Sequence, residues 1–127
     1  LEEPAPHSVA MVCEYDFFKI LYRSEARSIA RNGHSANICL LSVSGKDGEM
    51  LARRSLDPAM NNLQVLVQNN LRRGDVIARC SISQYIILLP QANYENSCMV
   101  AERLTGAFYR RYPHSSARLR CTVQPLA

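Results

Sequence analysis

Apolar side chains along this chain recur at two periods, two and three-to-four residues, and the changes of period divide it into strands and helices. Ser8 to Cys13 alternates Val9, Met11 and Cys13 with smaller residues, which predicts a short strand at a sheet edge. Asp16 is placed to cap a helix with Phe17, Ile20, Leu21 and Ala30 facing inward and Lys19, Arg23, Arg27 and Arg31 facing water. Asn32-Gly33 is its left-handed stop. Ala36 to Val43 is short and nearly all apolar, as a central strand covered on both faces would be. Gly45 to Ser55 reads as a loop, and Asp57-Pro58 as cap and first residue of a second helix. Met60, Leu63, Leu66, Val67 and Leu71 stripe that helix up to Gly74. Val76 to Cys80 and Tyr85 to Leu89 are β-rich runs around the polar turn Ser81 to Gln84, which predicts a hairpin. Pro90 and Asn93 mark a loop and a cap. Val100, Ala101, Leu104, Ala107 and Phe108 then stripe a third helix that stops before Pro113, and Arg118 to Gln124 alternates Leu119, Cys121 and Val123 as a last strand.

The order β-α-β-α-β-β-α-β predicts an α+β fold with a mostly antiparallel central sheet. Its last six elements form the split βαβ unit of ferredoxin-like domains, the frame of the nucleotide-cyclase palm and of RNA-binding RRM domains. An RRM stacks bases on exposed aromatics of its central strands. Ala36 to Val43 and Val76 to Cys80 carry none.

A length of 127 residues with 47% hydrophobic positions suits one domain, taken as residues 8–127. Residues 1–7, opening LEEPAP, read as the end of a linker in a longer protein. Apolar runs such as Ile86 to Leu89 fall far short of the ~18 residues a bilayer crossing needs, so no membrane contact is expected. Five cysteines without CxxC or CxxH spacing predict buried free thiols in a reducing cytoplasm, and neither metal nor cofactor. The net charge of +4 is spread over 15 cations interleaved with 11 carboxylates, which predicts a solvated surface and no direct nucleic-acid contact. His7, His34 and His114 stand in polar contexts without acid or serine partners, and Phe108 to Tyr112 and Tyr94 read as structural aromatics.

Residues 71–90, LRRGDVIARCSISQYIILLP, resemble the centre of the GGDEF (diguanylate cyclase) family. In that family a helix ends in LRxxD, a strand carries Ala-Arg and an aromatic, and GGDEF or GGEEF precedes an apolar strand. SISQY, residues 81–85, stands where the signature would be. The resemblance implies a dimeric enzyme joining two GTP molecules into cyclic di-GMP, each half holding one GTP with two metal ions at the hairpin. Those ions need carboxylates from the hairpin and from the first palm strand. In this chain the glycine pair becomes Ser81 and Ile82, the acidic third position Ser83 and the glutamate Gln84, while the strand motif DxDxFK becomes Ser42, Val43 and Ser44 followed by GKDG. A neutral amide or hydroxyl offers no charge to a dication, and a β-branched Ile82 blocks the close phosphate approach that glycine permits. The expectation is a domain with no catalytic residues and no cyclase activity, and Asp47 and Glu49 read as loop surface.

One family element is kept in spacing. The inhibitory RxxD site for cyclic di-GMP matches Arg72 and Asp75, with Arg79 following in the strand, so cyclic di-GMP or another nucleotide is the alternative ligand. Ala10 to Ser28, AMVCEYDFFKILYRSEARS, is similar to GGDEF-like domains at the C-terminus of regulators that carry a bacterial transcriptional activator domain. Together the resemblances imply a regulatory or interaction domain, whose partners are other domains of the same polypeptide and, as open alternatives, a second copy or cyclic di-GMP.

Overall fold

The structure, a computed structural model, describes residues 10–126. The linker reading of residues 1–7 and the Ser8-Val9 start of the first strand lie outside the described residues. Within them the elements follow the expected order: β1 (Met11–Cys13), α1 (Tyr15–Asn32), β2 (Ala36–Ser44), α2 (Arg53–Asn70), β3 (Val76–Ser81), β4 (Gln84–Pro90), α3 (Tyr94–Arg111) and β5 (Arg118–Pro125). They build one five-stranded sheet in the order β1-β3-β4-β2-β5. Only β1 pairs in parallel, with β3, and the other neighbours are antiparallel. The fold is α+β, with helices on both faces of a mostly antiparallel sheet.

Pleating sends alternate residues of β2 to opposite faces. Cys39, Leu41 and Val43 enter the larger core with Met60 and Leu63 of α2 and Leu104 and Phe108 of α3. Each large side chain fully buried there contributes about 1.5–3 kcal/mol. On the other face α1 sets Phe18, Leu21 and Tyr22 against Val76, Ala78 and Leu88. Beyond that second cluster β2 is only half covered: Leu40, Ser42 and Ser44 are half-buried, where the apolar run predicted burial on both sides.

Several boundaries move. Glu14, not Asp16, is the N-cap residue of α1, and it makes no side-chain cap; Asp16 sits in the first turn and pairs with Lys19 at 3.3 Å. The inward face of α1 is turned by one residue, so Phe18 is 1% exposed while Phe17 and Ile20 are 45% and 53% exposed and Ala30 faces water. Gly33 does end the helix, at φ 71°, with its N–H donating to the Ile29 carbonyl. The loop after β2 is shorter than expected, because α2 begins at Arg53 and takes Leu56 into the core. Asp57 therefore caps nothing; it accepts from Arg53 Nε at 3.1 Å, and Pro58 lies inside the helix. Leu71, extended at φ −111° and 5% exposed, ends α2 before Gly74 is reached. In α3 the Asn93 side chain accepts from the Asn96 N–H, as its position predicted. Of the cysteines only Cys39 is buried outright; Cys13, Cys80, Cys98 and Cys121 are half-buried.

Candidate functional site

The β3-β4 hairpin carries the residues that the family resemblance makes critical, and its tip is closed without glycine. Arg79 pairs with Tyr85 and Ser81 with Gln84, so Cys80 is left over as an irregularity in the ladder. Ile82 and Ser83 make the turn, and neither has a positive φ. An extra residue in one strand supplies the local twist that a two-residue turn of ordinary φ lacks.

Strand β2 runs alongside this tip. Ser42 is in register with Gln84, and the Val43 N–H donates to the Ser83 carbonyl at 2.9 Å. Side chains continue the connection. Gln84 Nε2 donates to Ser42 Oγ at 3.0 Å, Ser81 Oγ donates to Gln84 Oε1 at 3.1 Å, and Ser81 Oγ accepts from the Ser83 N–H at 3.2 Å. The structure thus brings Ser42, Ser81, Ser83 and Gln84 together, while Ser44 turns away to the Gly45 carbonyl at 3.1 Å. Ile82 is exposed at the tip. The charge beside the turn is Arg79, whose Nε and Nη2 donate to the carbonyls of Ser81 and Ile82 at 3.2 and 2.7 Å.

This donor set does not suit a pair of hard divalent cations, which take anionic oxygen ligands. Every side chain in the network is neutral; the Gln84 amide bonds to the Ser42 and Ser81 hydroxyls, and Ser83 joins through its backbone N–H. Among the described residues no group of three or more His, Cys, Asp or Glu side chains could hold a metal ion. Asp47 and Glu49 belong to an exposed loop closed on itself, in which the Asp47 N–H donates to Glu49 Oε1 at 2.9 Å.

Arg72 and Asp75 lie at the other end of β3, about 16 Å from the tip at ~3.3 Å per strand residue. They therefore form no common surface with it. Asp75 is 1% exposed and accepts from the Arg72 N–H at 2.8 Å, from Arg72 Nε at 3.4 Å and from Arg72 Nη2 at 3.0 Å. The same Nη2 donates to the Pro90 carbonyl at 2.8 Å. The pair closes the turn from α2 into β3 and ties it to the end of β4. Beside it is an open cleft of about 300 Å³ that Gln91, Asn96, Met99 and Arg103 help to line. Arg79 points to the tip and takes no part.

Two other groups are perturbed. Burial pushes the Tyr85 phenol above its usual 10.0, with Arg79 pulling partly back; its hydroxyl donates to the Met60 carbonyl at 3.0 Å and lies 3.2 Å from Gln64 Oε1. Cys121 is held below the usual thiol range by its hydrogen bond with Cys39, against the effect of burial, and Thr105 Oγ1 lies 3.2 Å from its sulfur. Cys39 is pushed upward, first by that same bond and then by burial. Both effects pass unseen in the sequence because they depend on strand register.

No family model and no curated protein matches the chain. Solved structures do. A DGC protein from Thermotoga maritima superposes with a TM-score of 0.75 at 11% identity, over 95% of this chain and 85% of that one. The active GGEEF domain of a diguanylate cyclase from Vibrio cholerae gives 0.73 at 15%, over 91% and 77%. The fold is that of GGDEF domains. The diguanylate cyclase SiaD from Pseudomonas aeruginosa, solved in complex with its activator SiaC, gives 0.66 at 18% identity, over 88% of this chain and 45% of that one. These matches extend over 88% to 95% of this chain.

Among the described residues no helix is long and apolar enough to cross a membrane. The sequence reading missed the direct Ser42–Gln84 contact, the Arg72–Pro90 tie and the arginines of β5. The last had a visible signal: in Arg118-Leu119-Arg120-Cys121 the apolar residues alternate with cations, which puts Arg118 and Arg120 on one face, opposite Ser44 and Ser42.

Proposed function

We propose that this GGDEF-like domain is non-catalytic and serves regulation, through contacts with other domains or proteins, inside a larger cytoplasmic bacterial signalling or transcription-regulating protein. The observation that carries the reading is the neutral network of Ser42, Ser81, Ser83 and Gln84 where β2 meets the hairpin tip. A cyclase of this design needs anionic oxygens at that meeting point to offset two dications and the phosphates they hold. Hydroxyls and an amide already bonded to each other would have to break those bonds and would still supply no charge. A regulatory reading has a parallel among proteins that carry this frame: SiaD, matched over 45% of its chain, was solved in complex with its activator SiaC.

The test has two arms. With GTP and Mg²⁺ or Mn²⁺ the domain should release neither cyclic di-GMP nor pyrophosphate above a no-protein control. Deleting residues 8–127 from the parent protein should change its DNA binding, transcriptional output or oligomeric mass while the remainder stays folded. Turnover abolished by Gln84→Ala, or a deletion that leaves all three properties unchanged, would overturn the reading.

The receptor alternative, cyclic di-GMP at Arg72, has in its favour the cleft beside that residue. Against it stands the Asp75 carboxylate, which is buried and already engaged by Arg72.

A further inference from the structure

The two faces of the sheet are unequally covered. Five strands at about 4.8 Å spacing span roughly 19 Å, enough for two helices packed about 10 Å apart. Helices α2 and α3 supply that pair on one face. On the opposite face α1 packs against β3 and reaches only Ala36 and Ile38 at the start of β2, and among the described residues no helix lies over the rest of β2 or over β5. Ile38 and Leu40 of β2 stay half-buried there, and Arg118, Arg120, Thr122 and Gln124 of β5 are exposed. The vacant strip has the width of one helix.

The strip is a groove with an apolar floor and cationic banks. It opens as a cleft of about 340 Å³ floored by Ile38 and Ile86, with Lys19, Tyr22 and Arg23 of α1 on one side. Across Leu40 lies β5, where Arg120 is in register with Ser42 and Arg118 with Ser44. Lys19 has an exposed pairing with Asp16 and a position over the Tyr15 ring, and Arg118 donates to the Ser115 and Ala117 carbonyls. Among the described residues, Arg23 and Arg120 have no ion-pair or hydrogen-bond partner.

We propose that this groove docks an acidic amphipathic helix of a partner protein, its apolar stripe on Ile38, Leu40 and Ile86 and its flanking carboxylates toward Arg23 and Arg120. The proposal rests on the interaction reading above and gives that interaction a place and a chemistry. Width admits one helix, the aliphatic floor rewards an apolar stripe, and cations on both banks select acids on both flanks. A second copy of this chain fits badly, since a symmetric contact through the groove would set Arg23 and Arg120 against their own kind. A nucleic acid would meet aliphatic side chains where phosphate or a stacked base needs donors or aromatic rings.

The probe is a fluorescein-labelled helical peptide of about 15 residues with leucines at i, i+3, i+4 and i+7 and glutamates on both flanks, beside the same peptide with lysine for glutamate. Anisotropy with the intact chain should show binding of the acidic peptide only, weakening as salt rises. Arg23→Glu/Arg120→Glu should weaken it about tenfold or more and transfer binding to the lysine peptide. Both positions are exposed, and circular dichroism verifies that the variant is folded. Equal binding of the two peptides, no binding of either, indifference to the double variant, or binding instead to phosphatidylglycerol vesicles or duplex DNA would each overturn the proposal. If it falls while deleting the domain still alters the parent protein, the groove assignment alone is lost.

Discussion

Gln84 Nε2 donates to the Ser42 hydroxyl across 3.0 Å, joining the hairpin tip to the central strand where the sequence resemblance places metal ligands on both. The bond is part-buried and has no competing charge in its network, so it should be a measurable part of stability. Ser42→Ala and Gln84→Ala should each cost about 0.5–1.5 kcal/mol, and the double variant less than their sum. Urea unfolding of the four proteins gives the coupling. Strict additivity would mean that the two side chains do not act as a pair.

Asp75 takes its side-chain hydrogen bonds from Arg72. Replacing Arg72 with alanine leaves a buried carboxylate with only the backbone N–H of residue 72, and should destabilise the domain by roughly 1–2 kcal/mol. That is below the ~3–5 kcal/mol of a fully buried pair, because the arginine is 58% exposed. Calorimetry with cyclic di-GMP should give no heat for either protein. Heat for the wild type alone would favour the receptor reading, and equal heat for both would place the nucleotide elsewhere.

Tyr85 makes stability fall at high pH. Burial raises its folded pKa above the ordinary 10.0, so the folded state keeps a proton that the unfolded state gives up. The associated stability is complete below pH 10.0 and is lost as pH rises through the folded value. Tyr85→Phe should flatten that alkaline limb in thermal melts, while costing about 1 kcal/mol at neutral pH through the lost bond to the Met60 carbonyl. An unchanged limb would remove Tyr85 as its source.

Thiol chemistry should be ordered by environment. Cys121, half-exposed and lowered, should be alkylated by iodoacetamide ahead of Cys13 and Cys80, which burial raises, and Cys39 should react last. Mass mapping of labelled peptides reads the order directly. Fast labelling of Cys39 would show that the strands open there.

The element order, the hairpin and the Asn93 cap were all legible in the sequence, because each is a local pattern. Helix α1 was misread where the pattern is degenerate. In Phe17-Phe18-Lys19-Ile20-Leu21 two overlapping apolar stripes are available, and only the positions of Val76, Ala78 and Leu88 on the sheet decide for Phe18. The start of α2 was misplaced because Asp57-Pro58 is a good local cap, yet the core gains Leu56 by starting the helix earlier and tolerating the proline. At the candidate site the neutral residue types were readable one by one. Their bonding to one another was not, because Ser42 and Gln84 stand 42 residues apart and meet only through strand pairing.

The hairpin is held at both ends. Arg72 grips the Pro90 carbonyl at its base, and the Val43 N–H grips the Ser83 carbonyl at its tip. Sliding β4 by one residue along β3 would exchange its two faces, carrying Ile87 and Leu89 out of the larger core, and it would have to release both grips in the same event. A mispaired hairpin is thereby disfavoured at both ends at once, and the order of side chains offered to either face of the sheet is kept.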